Sequence, residues 1–148
     1  MEIKFLNLES MEKICHRVAM AVFNTKDDPI CPFEEHTIAL LDSALKLPGA
    51  TFDGHDLYPT LIDKVAVLYY SLNKNHPFRN GNKRIATASL LVFLFINNHW
   101  LDSGIEEMTR LTLEVANSEP GKRDEVLVKI KNWVKNHIVA VDESKKVK

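Results

Sequence analysis

His76-Pro77-Phe78-Arg79-Asn80-Gly81-Asn82-Lys83-Arg84 runs straight into Ile85-Ala86-Thr87-Ala88-Ser89-Leu90-Leu91-Val92-Phe93-Leu94-Phe95-Ile96, and the reading of this junction decides the fold. The second half is apolar on every side, with Thr87 and Ser89 its only hydroxyls. A helix of that kind belongs in the middle of a bundle rather than on its surface. The polar half reads as the loop that enters it. Gly81, Asn82, Lys83 and Arg84 then form the first turn, where unpaired backbone N–H groups, the positive end of the helix dipole and two cationic side chains converge. Such a place binds anions, phosphates above all. His76, just upstream, is the one side chain of the stretch that exchanges a proton near neutral pH. A base beside a phosphate cradle suggests group transfer.

Each of these residues has a plainer reading as well. A single loop His is ordinarily only solvated, Asn-Gly is ordinarily a turn, and Lys83 with Arg84 can serve merely as an exposed basic pair. The conjunction of base, apolar Phe78, Gly-Asn turn, two cations and central helix in one short span favours a site. His76 is then the candidate general base for a hydroxyl attacking phosphorus, a role worth roughly a hundred- to ten-thousand-fold in rate. Phe78 is a plug that holds the loop against the core. Gly81 allows close backbone approach, Asn82 orients a phosphate oxygen or the loop itself, Lys83 adds a point charge, and Arg84 binds phosphate oxygens bidentately.

The span from His76 to Arg84 resembles the signature of the Fic/Doc superfamily, His-x-Phe-x-Asp/Glu-Gly-Asn-Gly-Arg, and Lys83 in place of the last Gly resembles its death-on-curing (Doc) toxin branch. The similarity extends through Leu40-Leu41-Asp42-Ser43-Ala44-Leu45, Ala50-Thr51-Phe52-Asp53-Gly54, Leu57-Tyr58-Pro59 and the helix after Arg84. The resemblance implies ATP as substrate and Mg2+ beside it, with His76 as the catalytic His. It places the metal ligand at Asn80, where the family has Asp or Glu and this chain offers only an amide carbonyl. Adenylyl-transferring members carry a second Arg where this chain has Thr87. The family's self-inhibitory Ser/Thr-x-x-x-Glu-Gly/Asn-Asn motif is absent, which implies restraint by a separate small antitoxin protein. By the same resemblance Thr51, Phe52, Asp53, Gly54, His55, Asp56 and Leu57 form a flap that docks the protein substrate.

Three activities compete on this basis. The first is a Doc-like toxin of a toxin-antitoxin system that transfers phosphate from ATP to a Ser/Thr hydroxyl of a translation-machinery protein, such as an elongation factor. The second is a Fic-type adenylyltransferase. The third is a non-catalytic Fic/Doc-fold binding or regulatory protein. Lys83 favours the first, because its side chain obstructs the close phosphate approach that Gly permits and so favours a reversed nucleotide with its γ-phosphate toward His76.

At 148 residues with 45% hydrophobic content, the chain is expected to fold as a single domain with a substantial core. A formal net charge of −1 points away from nucleic acid and acidic membrane as partners. The apolar run is shorter than the roughly 20 residues of a membrane span. Cys15 and Cys31 have no metal spacing and read as reduced thiols of a cytoplasmic protein. The basic tail Lys145-Lys146-Val147-Lys148 reads as a solvated end.

Along the chain, Ile3 to Leu6 is a short strand or extended lead-in, and Asn7 caps a helix whose stripe is Leu8, Met11, Cys15, Val18 and Val22. His16 lies off that stripe, as an ordinary surface or boundary residue. Pro29 and Pro32 exclude a helix between them. Ile38, Leu41 and Leu45 mark a second helix. Asp53-Gly54 is a tight-turn signal between Thr51-Phe52 and Leu57-Tyr58, giving either a hairpin flap or a surface turn with Phe52 and Tyr58 tucked into the core. Pro59 opens a third helix with the stripe Leu61, Val65, Leu68, Tyr69 and Leu72, ended by Asn73 to Asn75. The central helix stops at Asn97-Asn98-His99. Ser103-x-x-Glu106 is a capping box for a fifth helix, Pro120-Gly121 breaks it, and Val126, Ile130, Trp133, Val134 and His137 form one face of a sixth, with Trp133 in the core. Nothing after Trp100 suggests chemistry. The expected fold is all-α, a bundle of about six helices around a central buried helix, with a small β-hairpin flap.

Overall fold

The computed structural model describes residues 2–141, so the basic tail at Lys145 to Lys148 lies outside the described residues. Six helices carry the fold. Helix α1 has three parts, Leu8–Ser10, a π-helical stretch Met11–Cys15, and His16–Val22. It is followed by α2 (Ile38–Lys46), α3 (Leu61–Asn75), α4 (Asn82–Ile96), α5 (Ile105–Ala116) and α6 (Arg123–His137). No helix among the described residues is long and apolar enough to cross a membrane.

Helix α4 is the central buried helix that its composition dictates, with residues 85–94 all buried. It does not stand alone in that role. Helix α3 packs directly against it and is buried just as fully over residues 64–73. The single stripe expected for α3 therefore understates it. The charge that this burial takes in is satisfied, as burial demands. Lys64, only 3% exposed, sends its ammonium to the carbonyls of Pro48 (3.2 Å) and Tyr58 and to the Asp56 carboxylate (3.3 Å). The helix opens on a Thr60/Asp63 capping box, so Pro59 precedes the cap and is not the first helical residue.

In α1 the Asn7 side chain accepts from Ser10 N–H at 2.8 Å, as the cap reading expects. The π stretch then accommodates one extra residue per turn, which rotates the helix beyond it. Burial follows Met11, Cys15 and Ala19, while Val22 is exposed and His16 is buried, where the sequence placed it at the surface or boundary. The lead-in before Asn7 is extended without being a strand. Ile38, at the start of α2, is exposed, and Leu41, Ala44 and Leu45 carry that helix into the core.

The hairpin forms as read. Strands β1 (Thr51–Phe52) and β2 (His55–Asp56) pair antiparallel, with Asp53 and Gly54 both at positive φ, 52° and 79°. That is the backbone a two-residue hairpin turn requires. Phe52 is exposed rather than tucked inward. A second antiparallel pair, β3 (His99–Leu101) with β4 (Ile138–Ala140), joins the ends of α4 and α6. Helix α5 is capped by Gly104 and no Ser103/Glu106 capping box exists. Ser103 Oγ instead reaches Gly104 O and Glu107 Oε2. Trp133 is only partly buried, stacked on His137 with ring centroids 4.4 Å apart and donating to Glu107.

Candidate active site

The loop between α3 and α4 is tied to its surroundings at several points. His76 ends α3 in the left-handed conformation, φ 49° and ψ 57°. That backbone is sparsely populated for a residue with a Cβ, and residues held this way gather at functional sites. The turn leaves His76 exposed while Pro77 and Phe78 go inward. Phe78 is 4% exposed and lies against Phe33 (5.8 Å between centroids), His16 (6.0 Å) and His36 (6.1 Å). It is the plug that its apolar character predicts. His16 in turn bonds the Cys31 carbonyl at 2.7 Å. Backbone bonds Thr37 N–H to Pro77 O (2.7 Å) and Arg79 N–H to Glu35 O (3.1 Å) clamp the loop to the start of α2.

Of the two roles open to Asn82, the structure shows the second. Its Oδ1 accepts from Phe78 N–H and its Nδ2 donates to Phe78 O, both at 2.9 Å, so it orients the loop. Gly81 caps α4 at φ 75°, and a Cβ there would lie 3.0 Å from Ile30 Cγ2. Among the described residues no side chain caps this helix, and its first internal bond runs from Ile85 N–H to Gly81 O. The N–H groups of the first turn therefore face outward beside Lys83, which is exposed, and Arg84.

Arg84 is engaged by a residue the sequence reading passed over. Its Nη1 donates to the Asp28 carbonyl at 2.6 Å and its Nη2 lies 3.3 Å from Asp28 Oδ2. Asn80 is turned the same way. Its Oδ1 accepts from Cys31 N–H (2.7 Å) and its Nδ2 donates to Pro29 O (2.8 Å). A magnesium ion favours charged oxygen ligands. Asn80 does not fit that part, because it is neutral and its one side-chain oxygen already receives a backbone N–H.

These groups surround one cavity of about 400 Å³. His76, Asn80, Gly81, Asn82, Lys83, Arg84 and Asp28 form its polar side, and Phe23, Ile105, Met108 and Leu113 its apolar wall. Helix α5 supplies most of that wall, so the C-terminal part of the chain does contribute to the site, where its generic amphipathic pattern suggested nothing. Thr87 and Thr112 line the same cavity and lie 3.1 Å apart, Oγ1 to Oγ1. Behind them Tyr69 bonds Thr112, and burial pushes the Tyr69 hydroxyl up to about 12. Thr87 turns its own proton back to Lys83 O at 2.9 Å. Residues 51–57 do not line this cavity. The hairpin is an exposed projection anchored by Lys64.

The bundle thus presents, on one cavity, a helix start without a side-chain cap, the cations Lys83 and Arg84, and a His in the left-handed conformation. The chain belongs to the Fic/DOC family, whose model matches residues 5–94. Over 79 residues it is 46% identical to the Toxin Doc of Mycolicibacterium smegmatis (strain ATCC 700084 / mc(2)155), a stretch that covers 52% of this chain and 61% of that protein. The chain thus spans less than two thirds of that curated relative's length. No solved structure matches the chain significantly.

Proposed function

We propose that the chain is a Doc-like toxin of a toxin-antitoxin system, transferring the terminal phosphate of ATP to a Ser/Thr hydroxyl of a protein of the translation machinery. The observation that carries the reading is the open first turn of α4, with Lys83 and Arg84 beside His76 in one cavity. Similarity to a protein named Toxin Doc supports the toxin, and with it a small antitoxin partner. Lys83 supports phosphate over adenylyl transfer, since a side chain here crowds the backbone approach that Gly would leave open. Thr87 supports it too, because it is uncharged and its proton stays with its own helix.

In this reading the substrate hydroxyl oxygen attacks the γ-phosphorus. The new O–P bond forms as the bond from the β,γ-bridging oxygen to that phosphorus breaks, and ADP leaves with the electron pair. The hydroxyl proton passes to the His76 imidazole. Backbone N–H groups of the first turn, Lys83 and Arg84 hold the phosphate oxygens. The apolar wall of Phe23, Ile105, Met108 and Leu113 receives the base, and the exposed hairpin is the surface that meets the protein substrate.

The test is induced expression in a bacterial host. The parent chain arrests growth, and His76→Ala abolishes the arrest, losing at least the roughly hundredfold that a positioned base contributes, while its thermal midpoint stays at the parent's. A His76→Ala variant that arrests growth as the parent does refutes the assignment. The missing acid at Asn80 is the one observation on the side of a non-catalytic regulator, and a parent chain that causes no arrest favours that alternative.

A further inference from the structure

A nucleoside triphosphate carries a magnesium ion that proteins hold through one or two carboxylates plus the substrate's own phosphates. We propose that Asp28, and not Asn80, is the residue that holds this divalent cation, and that it does so by exchanging partners with Arg84. The proposal rests on the nucleotide-binding reading above. Asp28 is the one carboxylate among the described residues lining the cavity. It lies in the connection before α2, far in sequence from the cradle.

The backbone around Asp28 is fixed while its carboxylate is not. On one side Asp28 N–H donates to Thr25 Oγ1 (3.2 Å) and Ile30 N–H donates to Asn24 Oδ1 (2.8 Å). On the other side the Asn80 amide holds Pro29 O and Cys31 N–H together. That pairing needs a donor and an acceptor on one planar group, which an amide has and a carboxylate lacks. Asn80 is accordingly the pin that positions Asp28. The Asp28 side chain itself is 74% exposed, against 21% for Arg84, and at 3.3 Å from Nη2 its carboxylate makes the looser of the two contacts with Arg84. Its carboxylate is therefore free to change partner at small cost.

Nucleotide binding supplies the reason for the change. With Nη1 and Nη2 each donating to Asp28, two of the five N–H donors of Arg84 are committed there. When a triphosphate with its cation enters, Arg84 moves to the phosphate oxygens and the Asp28 carboxylate moves to the cation, so that every charge keeps an opposite partner. Among the described residues no group of three or more His, Cys, Asp or Glu side chains is gathered to hold a metal.

The test is titration calorimetry of the full chain with the β,γ-imido analogue of ATP, in chelator and in Mn2+, alongside the spin-resonance signal of bound Mn2+. In the wild type, Mn2+ tightens binding of the analogue. Asp28→Asn removes at least about tenfold of that gain, the loss that even an outer-shell change at a metal site brings, while binding in chelator stays equal or becomes tighter because Arg84 loses its carboxylate partner and keeps only the bond to the main-chain carbonyl. Asp28→Glu restores part of the gain. An Asp28→Asn variant that keeps the full Mn2+ gain, or tightens binding equally in both conditions, overturns the assignment and leaves Asp28 as a mask on Arg84 alone. A wild type that binds the analogue with no gain from Mn2+ overturns it as well. Absence of analogue binding in either condition instead sinks the phosphate-transfer reading, and this inference with it.

Discussion

Replacing Gly81 by Ala puts two separable costs on the residue where the cradle begins. The first is backbone strain. At φ 75° a residue with a Cβ is disfavoured by roughly 1–2 kcal/mol. The second is steric, because the new Cβ would lie 3.0 Å from Ile30 Cγ2 and 3.1 Å from Ile30 Cγ1. Ile30 is buried and cannot simply swing into solvent, and overpacking of this kind costs about 1–3 kcal/mol. Together the expected loss is about 3 kcal/mol, and at about 2–4 °C per kcal/mol for a chain of this size it lowers the melting midpoint by about 6–12 °C. The two terms are separated by a double-mutant cycle with Ile30→Ala, read from urea midpoints of the four proteins. Truncating Ile30 removes the steric part and leaves the strain, so Gly81→Ala in that background should cost less by about 1–3 kcal/mol. Costs that add to within about 0.5 kcal/mol would show that Ile30 does not press on the cradle.

Two further outcomes follow from the same geometry. Asn82→Ala strips both bonds from the Phe78 backbone and should lower stability by about 1–3 kcal/mol in calorimetry; a variant as stable as the parent would mean that the loop is held without them. At alkaline pH, burial pushes the Cys15 thiol from 9.0 to about 12 and the Tyr69 hydroxyl from 10.0 to about 12. Both folded values lie above the unfolded ones, so this stability is complete below about pH 9 and is lost as pH rises toward about 12, at up to about 1.4 kcal/mol per pH unit for each proton. Cys15→Ala should flatten its share of the slope in urea midpoints taken across that window, and a flat profile in the parent would contradict the burial.

How much of this could be read from residues alone depends on range. The central helix, the plug at Phe78 and the Asp53-Gly54 hairpin are set by local composition, and each stands where its pattern puts it. Features that join distant parts of the chain were not legible. Nothing in the local sequence links Asp28 to Arg84 or Cys31 to Asn80, since those bonds span 56 and 49 residues. For the same reason Asn80 reads as a weakened metal ligand in sequence and as a backbone pin in three dimensions. The amphipathic pattern of α5 announces a buried face without saying that part of it walls a cavity. Charge ordinarily excludes burial, so the burial of Lys64 is not legible in its residue type, and the three oxygens converging on it make its position tolerable. The π stretch in α1 is likewise silent in the sequence, and beyond it burial falls on Ala19 while Val22 is exposed.

On the proposed function, this site moves the terminal phosphate of ATP, with His76 as base and Lys83 setting the direction of the nucleotide. Incubating the purified chain with bacterial lysate and ATP labelled at either the α or the γ phosphorus reads that direction directly. The expected result is γ label on a protein target, none from the α position, and no label of either kind with His76→Ala. Label from the α position on that target would contradict it.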